Sequence, residues 1–222
     1  MNIIEKNRTR ILQNINKSHS SSLHKHSDLP KLVAISKKQS EERVLQALQS
    51  GHRVFGENRV QEAENRWSKY FSEFQNIELH LVGSLQTNKV KKALKLFDAI
   101  HSVDRQSLAI EISKNLDKPC KTKTFFIQVN TGREKQKSGV LPEDINDFFN
   151  FCKNKLKIHI SGLMCIPPVS DTPGIHFCYL NHLAKKLDLK TLSMGMSSDY
   201  EEAIKFGSTH LRIGEDFFGK RF

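Results

Sequence analysis

Nowhere in this 222-residue chain do apolar residues run for the ~18 positions that a membrane span needs; the longest runs are as short as Leu32-Val33-Ala34-Ile35. The N-terminal segment MNIIEKNRTRILQNINK carries charge throughout and has no apolar signal-peptide centre. Its Arg8, Arg10 and Lys17 are transit-peptide-like, but Glu5 and the many asparagines are not. With 11 glycines and 6 prolines, a fibrous or collagen-like chain is excluded. The four cysteines (Cys120, Cys152, Cys165, Cys178) form no C-x-x-C pair, which favours reduced thiols over bridges or zinc ligands. Neither a G-x-G-x-x-G nor a Walker motif is present, and the ten histidines form no H-E-x-x-H. These absences predict a cytoplasmic protein with no metal site.

What is present is enough for a core: apolar residues make up 37%, with 14 Phe, and a chain of this length buries about 70% of its unfolded surface. Thirty-five basic residues against 24 acidic ones give a net charge of +11. The excess lies in helical patterns (Lys89, Lys91, Lys92, Lys95; Lys153, Lys155, Lys157; Lys185, Lys186), so it reads as the solvated outer faces of several helices. Nucleic-acid binding prefers one stripe with interleaved aromatics, and a single Trp67 with three Tyr offers little for base stacking. It stays a second alternative. His19, His24 and His26 fall in a Ser/Lys-rich loop and are expected to be solvated.

Ile3, Ile4, Ile11, Leu12 and Ile15 recur at helical spacing and predict an N-terminal amphipathic helix, with a polar loop up to Pro30. Short apolar runs then predict strands over 31–36, 52–56, 77–83, 98–103, 124–130, 158–164, 191–195 and 209–214. Helical patterns lie between them, from EERVLQALQ to SDYEEAIKF. Strands alternating with crossover-length helices argue for a parallel sheet. Eight strands fit a closed α/β (β/α)8 TIM-like barrel, slightly under its usual ~250 residues, with an additional N-terminal helix. The expectation is a single domain over 1–222, with helix and loop at 1–30 and barrel at 31–222. An open doubly wound sheet is the structural runner-up.

In such a barrel, reacting groups collect at the C-terminal strand ends. Those ends are read as Ser36-Lys37, Gly56-Glu57-Asn58, His80 with Gly83-Ser84, Asp104-Arg105, Asn130, Met164, Ser193-Met194-Gly195, and Arg212 with Gly214. Lys37 is the one lysine placed at the very end of a strand. A lysine stem held in an apolar barrel has its ammonium form disfavoured, which makes a carbonyl nucleophile able to form a Schiff base. The bland alternative is one more surface lysine, followed at once by Lys38. Gly83, Gly162, Gly195 and Gly214 are read as glycines after strands. Gly195 and Gly214 stand on consecutive strands, seven and eight, a frequent phosphate location in these barrels, although ordinary turn chemistry explains most such glycines.

The strings AISK (34–37), FGENRVQEA (55–63), HLVGSLQTNKVK (80–91), HSVDR (101–105), VNTGREKQKSG (129–139), GLMCIPP (162–168), LSMGMSSDYEEAI (192–204), GSTHLRIG (207–214) and FGKR (218–221) occur in this order. Together they resemble the pyridoxal phosphate homeostasis proteins, single-barrel relatives of the alanine racemase barrel. The resemblance runs from about residue 31 to the C-terminus.

It implies that Lys37 forms the Schiff base with pyridoxal phosphate. Ser193 and the backbone around Gly214 and Glu215 would cradle the phosphate, and Arg212 would face the pyridine nitrogen. Asn58, His80 and Met194 would surround the cofactor. An arginine at the ring nitrogen keeps it unprotonated, which weakens the ring as an electron sink and suits storage better than broad catalysis. Two departures stand out. Glu215-Asp216 replaces a small residue after the RIG triplet, and a carboxylate about 5 Å from a phosphate charge costs roughly 3 kcal/mol at an effective dielectric of 20. Lys38-Gln39 replaces a Thr-containing turn, which implies a looser loop beside the site.

The function so implied is a non-catalytic, monomeric carrier of the cofactor in intracellular vitamin B6 and amino-acid balance, with apo forms of pyridoxal-phosphate enzymes as partners. The site, lacking a second domain over it, would be open to water. The alternative within the enzyme class is a slow racemase-like enzyme.

Overall fold

The apolar runs become eight parallel strands that close on themselves. The computed structural model describes residues 2–24 and 27–220; His26 and the Arg221 of the FGKR string lie outside them. The strands are β1 (Lys31–Ile35), β2 (Val54–Glu57), β3 (Glu78–Leu81), β4 (Ala99–Val103), β5 (Thr124–Val129), β6 (Gly162–Cys165), β7 (Thr191–Ser193) and β8 (His210–Ile213). Each pairs with its sequence neighbour, and β1 returns to β8 through Lys31↔His210, Leu32↔Leu211, Val33↔Arg212 and Ala34↔Ile213. Those closing pairs establish the (β/α)8 barrel and exclude the open sheet.

The helices are α1 (Ile3–Ser20), α2 (Glu41–Gln49), α3 (Val60–Glu73), α4 (Val90–Leu96), α5 (Gln106–Leu116), α6 (Ile145–Asn150), α7 (Pro173–Lys186), α8 (Tyr200–Lys205) and α9 (Glu215–Phe218). Asn2 starts α1 by accepting the Glu5 N–H on its side-chain oxygen at 2.8 Å. Of the five apolar positions read on this helix, Ile4, Ile11 and Ile15 are buried while Ile3 and Leu12 are exposed. α1 packs on α2, α8 and α9, so it takes the place in the outer ring that the four-residue α9 is too short to fill. Arg10 ties it down with paired bonds to Asp216, at 2.7 and 3.2 Å.

The sixth strand starts later than the sequence suggests. Ile158 and Ile160 are buried, but the ladder begins only at Gly162. The helix before it widens into a π turn over Phe151–Lys155, and Lys157 takes φ +55°. The chain is still turning where the apolar pattern already reads as strand. Gly162 therefore opens a strand and does not follow one. All four cysteines are free, and burial pushes the thiols of Cys152 and Cys165 up to about 12. No helix among the described residues is long and apolar enough to cross a membrane.

Candidate functional site

A cavity of about 630 Å³ opens at the C-terminal ends of the strands, within the size range of small-molecule sites. Lys37 and Asn58 line it from the β1 and β2 loops, and Val82, Gly83 and Ser84 from the third. The β5 loop adds Asn130, Lys137 and Ser138; the last two strands add Met196, Ser197, Ser198, Arg212, Gly214 and Glu215.

The loop carrying Lys37 is clamped. Arg66, on α3, donates from Nη1 to the Ser36 carbonyl (2.7 Å) and from Nη2 to the Gln39 carbonyl (2.8 Å), gripping the loop on both sides of Lys37. The same Nη1 reaches Glu57 Oε1 at 2.9 Å, which also accepts from Ser36 Oγ (2.7 Å) and Trp67 Nε1 (3.2 Å). Gln39 is buried, accepts from Arg43 on its side chain, and closes a turn through its own N–H to the Ser36 carbonyl. The expected loosening by Lys38-Gln39 is thus not what the chain does: Gln39 is one of the loop's anchors, and Lys38 supplies the turn with φ +57°.

Across the cavity, Gly195 has φ +93°, and a Cβ there would sit 2.7 Å from the Ala203 Cβ. The turn it permits folds residues 196–198 back toward the cavity, with Asp199 Oδ1 accepting the Met196 N–H. Ser197 Oγ accepts from the N–H groups of Gly214 and Asp216, both at 3.2 Å. Both lone pairs being used, its hydroxyl proton is left to donate. The β5 loop is held by Asn130, whose Nδ2 donates to the Glu134 carbonyl (2.9 Å) while its Oδ1 accepts the Glu134 N–H. This carries Ser138 to 3.2 Å from Ser84, oxygen to oxygen.

Five of the eight residues singled out by sequence, Lys37, Asn58, Arg212, Gly214 and Glu215, line this one cavity. Glu215 is exposed at its mouth. His80, Ser193 and Met194 do not reach it; all three are fully buried beneath. His80 lies inside β3, facing His101 and Glu78. The Ser193 hydroxyl, expected on a phosphate, is taken by Arg212 Nη1 (2.7 Å) and His101 Nδ1 (2.8 Å). Met194 packs into the apolar core. The β4 end, Asp104-Arg105, is likewise absent from the lining; Arg105 bonds Asp104 and the Leu85 carbonyl instead. Met164, read as a strand end, is buried inside β6.

Ser197, Ser198, Lys137 and Ser138 were not singled out. Their signal was two hydroxyls directly before the α8 helix, and a lysine-serine pair at the close of a strand-to-helix loop. Arg212 is buried, and desolvation lowers its pKa from the ordinary arginine value. Its contacts are neutral, the Ser193 hydroxyl and the Cys165 carbonyl (2.8 Å). The cavity floor therefore presents a cation whose hydrogen bonds go to no carboxylate, with the Asp199 carboxylate acting on it only through space.

The family model described as alanine racemase, N-terminal domain, matches residues 8–221. The pyridoxal phosphate homeostasis protein of Vibrio cholerae is 38% identical over 201 residues, covering 86% of this chain and 85% of its own. That of Aquifex aeolicus is also 38% identical, covering 86% and 87%. Among solved structures, PipY of Synechococcus elongatus with PLP bound superposes with a TM-score of 0.80 at 29% identity, over 97% of this chain and 100% of that one. Alanine racemase from Acinetobacter baumannii shares the fold, with a TM-score of 0.70 at 12% identity over 98% of this chain and 62% of that one. With its closed barrel, its strand-end cavity and these relatives, the chain belongs to the pyridoxal phosphate homeostasis proteins of the alanine racemase N-terminal domain family.

Proposed function

We propose that this protein holds pyridoxal phosphate in the strand-end cavity, with Lys37 as the covalent anchor, and serves as a carrier of that cofactor in vitamin B6 and amino-acid homeostasis. The observation that carries this reading is the joint placement of Lys37, Ser197 and Arg212 around one cavity of cofactor size. The donor set suits the group. A phosphate dianion needs donors, and the Ser197 proton is uncommitted. An aldehyde needs an amine, and Lys37 lines the same space. A ring nitrogen needs a partner, and Arg212 is a donor that carries no acceptor, so it keeps that nitrogen unprotonated.

Bound pyridoxal phosphate supplies an aldehyde that condenses with amines and a ring that withdraws electrons. The residues of this chain bind and orient it. The Arg66 clamp fixes the backbone on both sides of Lys37. Glu215, exposed at the mouth, can keep its carboxylate in water and limit the repulsion that its charge would exert on a phosphate.

A carrier without turnover is supported by what the lining lacks. Apart from Lys37, its titratable groups are Lys137, Arg212 and Glu215; no histidine, tyrosine or cysteine is among the described lining residues. Racemisation needs a proton donor and acceptor on opposite faces of a carbon; the one other lysine of the lining, Lys137, is engaged by Glu134 and by the Pro167 carbonyl at 3.1 Å. The protein would work as a cytoplasmic monomer and exchange its cofactor with apo enzymes.

The test is the visible absorbance spectrum of purified protein with added pyridoxal phosphate, beside Lys37→Ala. A borohydride-reducible band in the native protein alone is the expected result; its absence from both, or its persistence in the variant, overturns the reading. Protein-catalysed deuterium exchange at the α-carbon of alanine or serine, lost in Lys37→Ala, would replace the carrier with the racemase-like enzyme.

A further inference from the structure

Small parallel barrels are ordinarily filled by branched apolar side chains. Through this one runs a line of polar groups. Arg212 Nη1 donates to Ser193 Oγ at 2.7 Å, and His101 Nδ1 lies 2.8 Å from that oxygen. His101 Nε2 is 2.9 Å from His80 Nδ1, and His80 Nε2 is 2.7 Å from Glu78 Oε1. Ser193, His101 and His80 are each 0% exposed. Glu78 begins β3 at the opposite mouth of the barrel, where Lys31 Nζ reaches both its oxygens, at 2.6 and 2.9 Å. The line thus joins the far mouth to the floor of the cavity.

Its direction follows from what each atom can do. A carboxylate only accepts, so His80 Nε2 carries a proton. Burial works against the ionised form of Glu78, but bonds from His80 and Lys31 outweigh it and hold the carboxyl down at about 2. With one proton on His80, its Nδ1 is an acceptor and His101 Nε2 must donate to it. His101 Nδ1 is then bare and takes the Ser193 hydroxyl proton. Ser193 Oγ is left to accept from Arg212, which only donates. Every bond points the same way, from guanidinium to carboxylate, and each ring nitrogen in the line has a partner. The flanking Phe126 and His210 rings, 4.4 and 5.8 Å from His101, close the layer.

We propose that Ser193, His101, His80 and Glu78 form a one-directional hydrogen-bond relay that fixes the orientation of Arg212 from the far mouth of the barrel. They are positioning residues, and their bearing on the cofactor rests on the reading above. Two of the five Arg212 N–H donors are committed to the floor, to Ser193 and the Cys165 carbonyl. The remaining fork is held ready for a ligand.

The test uses cofactor-free, 15N-labelled full-length protein at about pH 8, above the ordinary histidine range. Both His80 and His101 should be protonated at Nε2 and bare at Nδ1, and Ser193→Ala should speed solvent exchange of the Arg212 Nη protons at least about tenfold. A proton on Nδ1 of either ring in the native protein, or unchanged Arg212 exchange in the variant, overturns the relay. Should Ser193→Ala fail to fold, the native tautomers still decide. Glu78→Gln, whose amide can donate as well as accept, should let a second His80 tautomer appear; one unchanged tautomer would overturn the role given to Glu78. Correct tautomers and the Ser193→Ala acceleration in a protein that captures no cofactor on Lys37 would sustain the relay and refute the cofactor reading.

Discussion

Glu57→Gln tests whether a buried charge holds the Lys37 loop. Glu57 is 1% exposed and its partner Arg66 18%. At 2.9 Å, and at an effective dielectric of 20, the pair attracts by about 6 kcal/mol before desolvation is counted. Glutamine keeps the shape and one acceptor oxygen for Ser36, Arg66 and Trp67, but removes the charge. Its amide nitrogen would take the place of Oε2, which is buried without a hydrogen bond. Breaking a buried pair costs about 3–5 kcal/mol; Arg66 keeps an edge in water and two carbonyl acceptors, so we expect a loss of about 2–3 kcal/mol. Urea unfolding reads this as a midpoint drop of roughly 1 M with an unchanged slope. Arg66→Lys, which retains the charge but not the planar fork, should lose less stability than Glu57→Gln. It should slow borohydride capture at Lys37, because one ammonium cannot bridge the Ser36 and Gln39 carbonyls as Arg66 does. A Glu57→Gln protein within about 0.5 kcal/mol of native would refute the clamp.

Acid should weaken the fold through His52. Burial lowers its pKa to about 4, against about 6.5 unfolded, so the unfolded chain binds the extra proton between those values. The contribution is complete above about 6.5, and about 3 kcal/mol is lost as pH falls toward 4. Urea midpoints from pH 7.5 to 4.5 should show this slope flattened in His52→Gln, and an unaltered slope would assign it elsewhere. At Gly162 a Cβ would lie 2.0 Å from the Thr191 carbonyl oxygen, so Gly162→Ala should force β6 and β7 apart at a cost above about 3 kcal/mol. Circular dichroism melting would detect it, and a native-like Tm would show that the strands can spread.

The barrel was legible because each strand is a short apolar run with a crossover-length helix behind it, a pattern set by local chemistry. Positions within a strand were not. β7 is three residues long, so a shift of one or two places carries a side chain from the cavity into the core. Ser193 and Met194, which the resemblance puts around the cofactor, stand at the end of that short strand and fall in the core, while Ser197 and Ser198, in the loop beyond it, line the cavity. His80 is grouped with the third strand's end although the apolar run continues past it to Val82; it stands inside β3, one residue before Leu81 closes the strand. Arg66 gave no signal at all, since its acceptors are backbone carbonyls 27 and 30 residues earlier in the chain. Lys37 and Arg212 were found because both stand where β1 and β8 meet the open end of the barrel.

The position of α1 sets an order of events for a chain growing on the ribosome. Its Ile4, Ile11 and Ile15 are made long before their late packing partners: Asp216, which binds Arg10, lies 206 residues further along the chain. At roughly 5–20 residues per second, that face waits on the order of ten seconds or more for α8 and α9. The charges that punctuate the helix, Glu5, Lys6, Arg8, Arg10 and Lys17, then keep an orphaned apolar stripe soluble. The seam of α1 with α8 and α9 forms only after those helices are made, and closing it turns an open stack of strand–helix units into a ring.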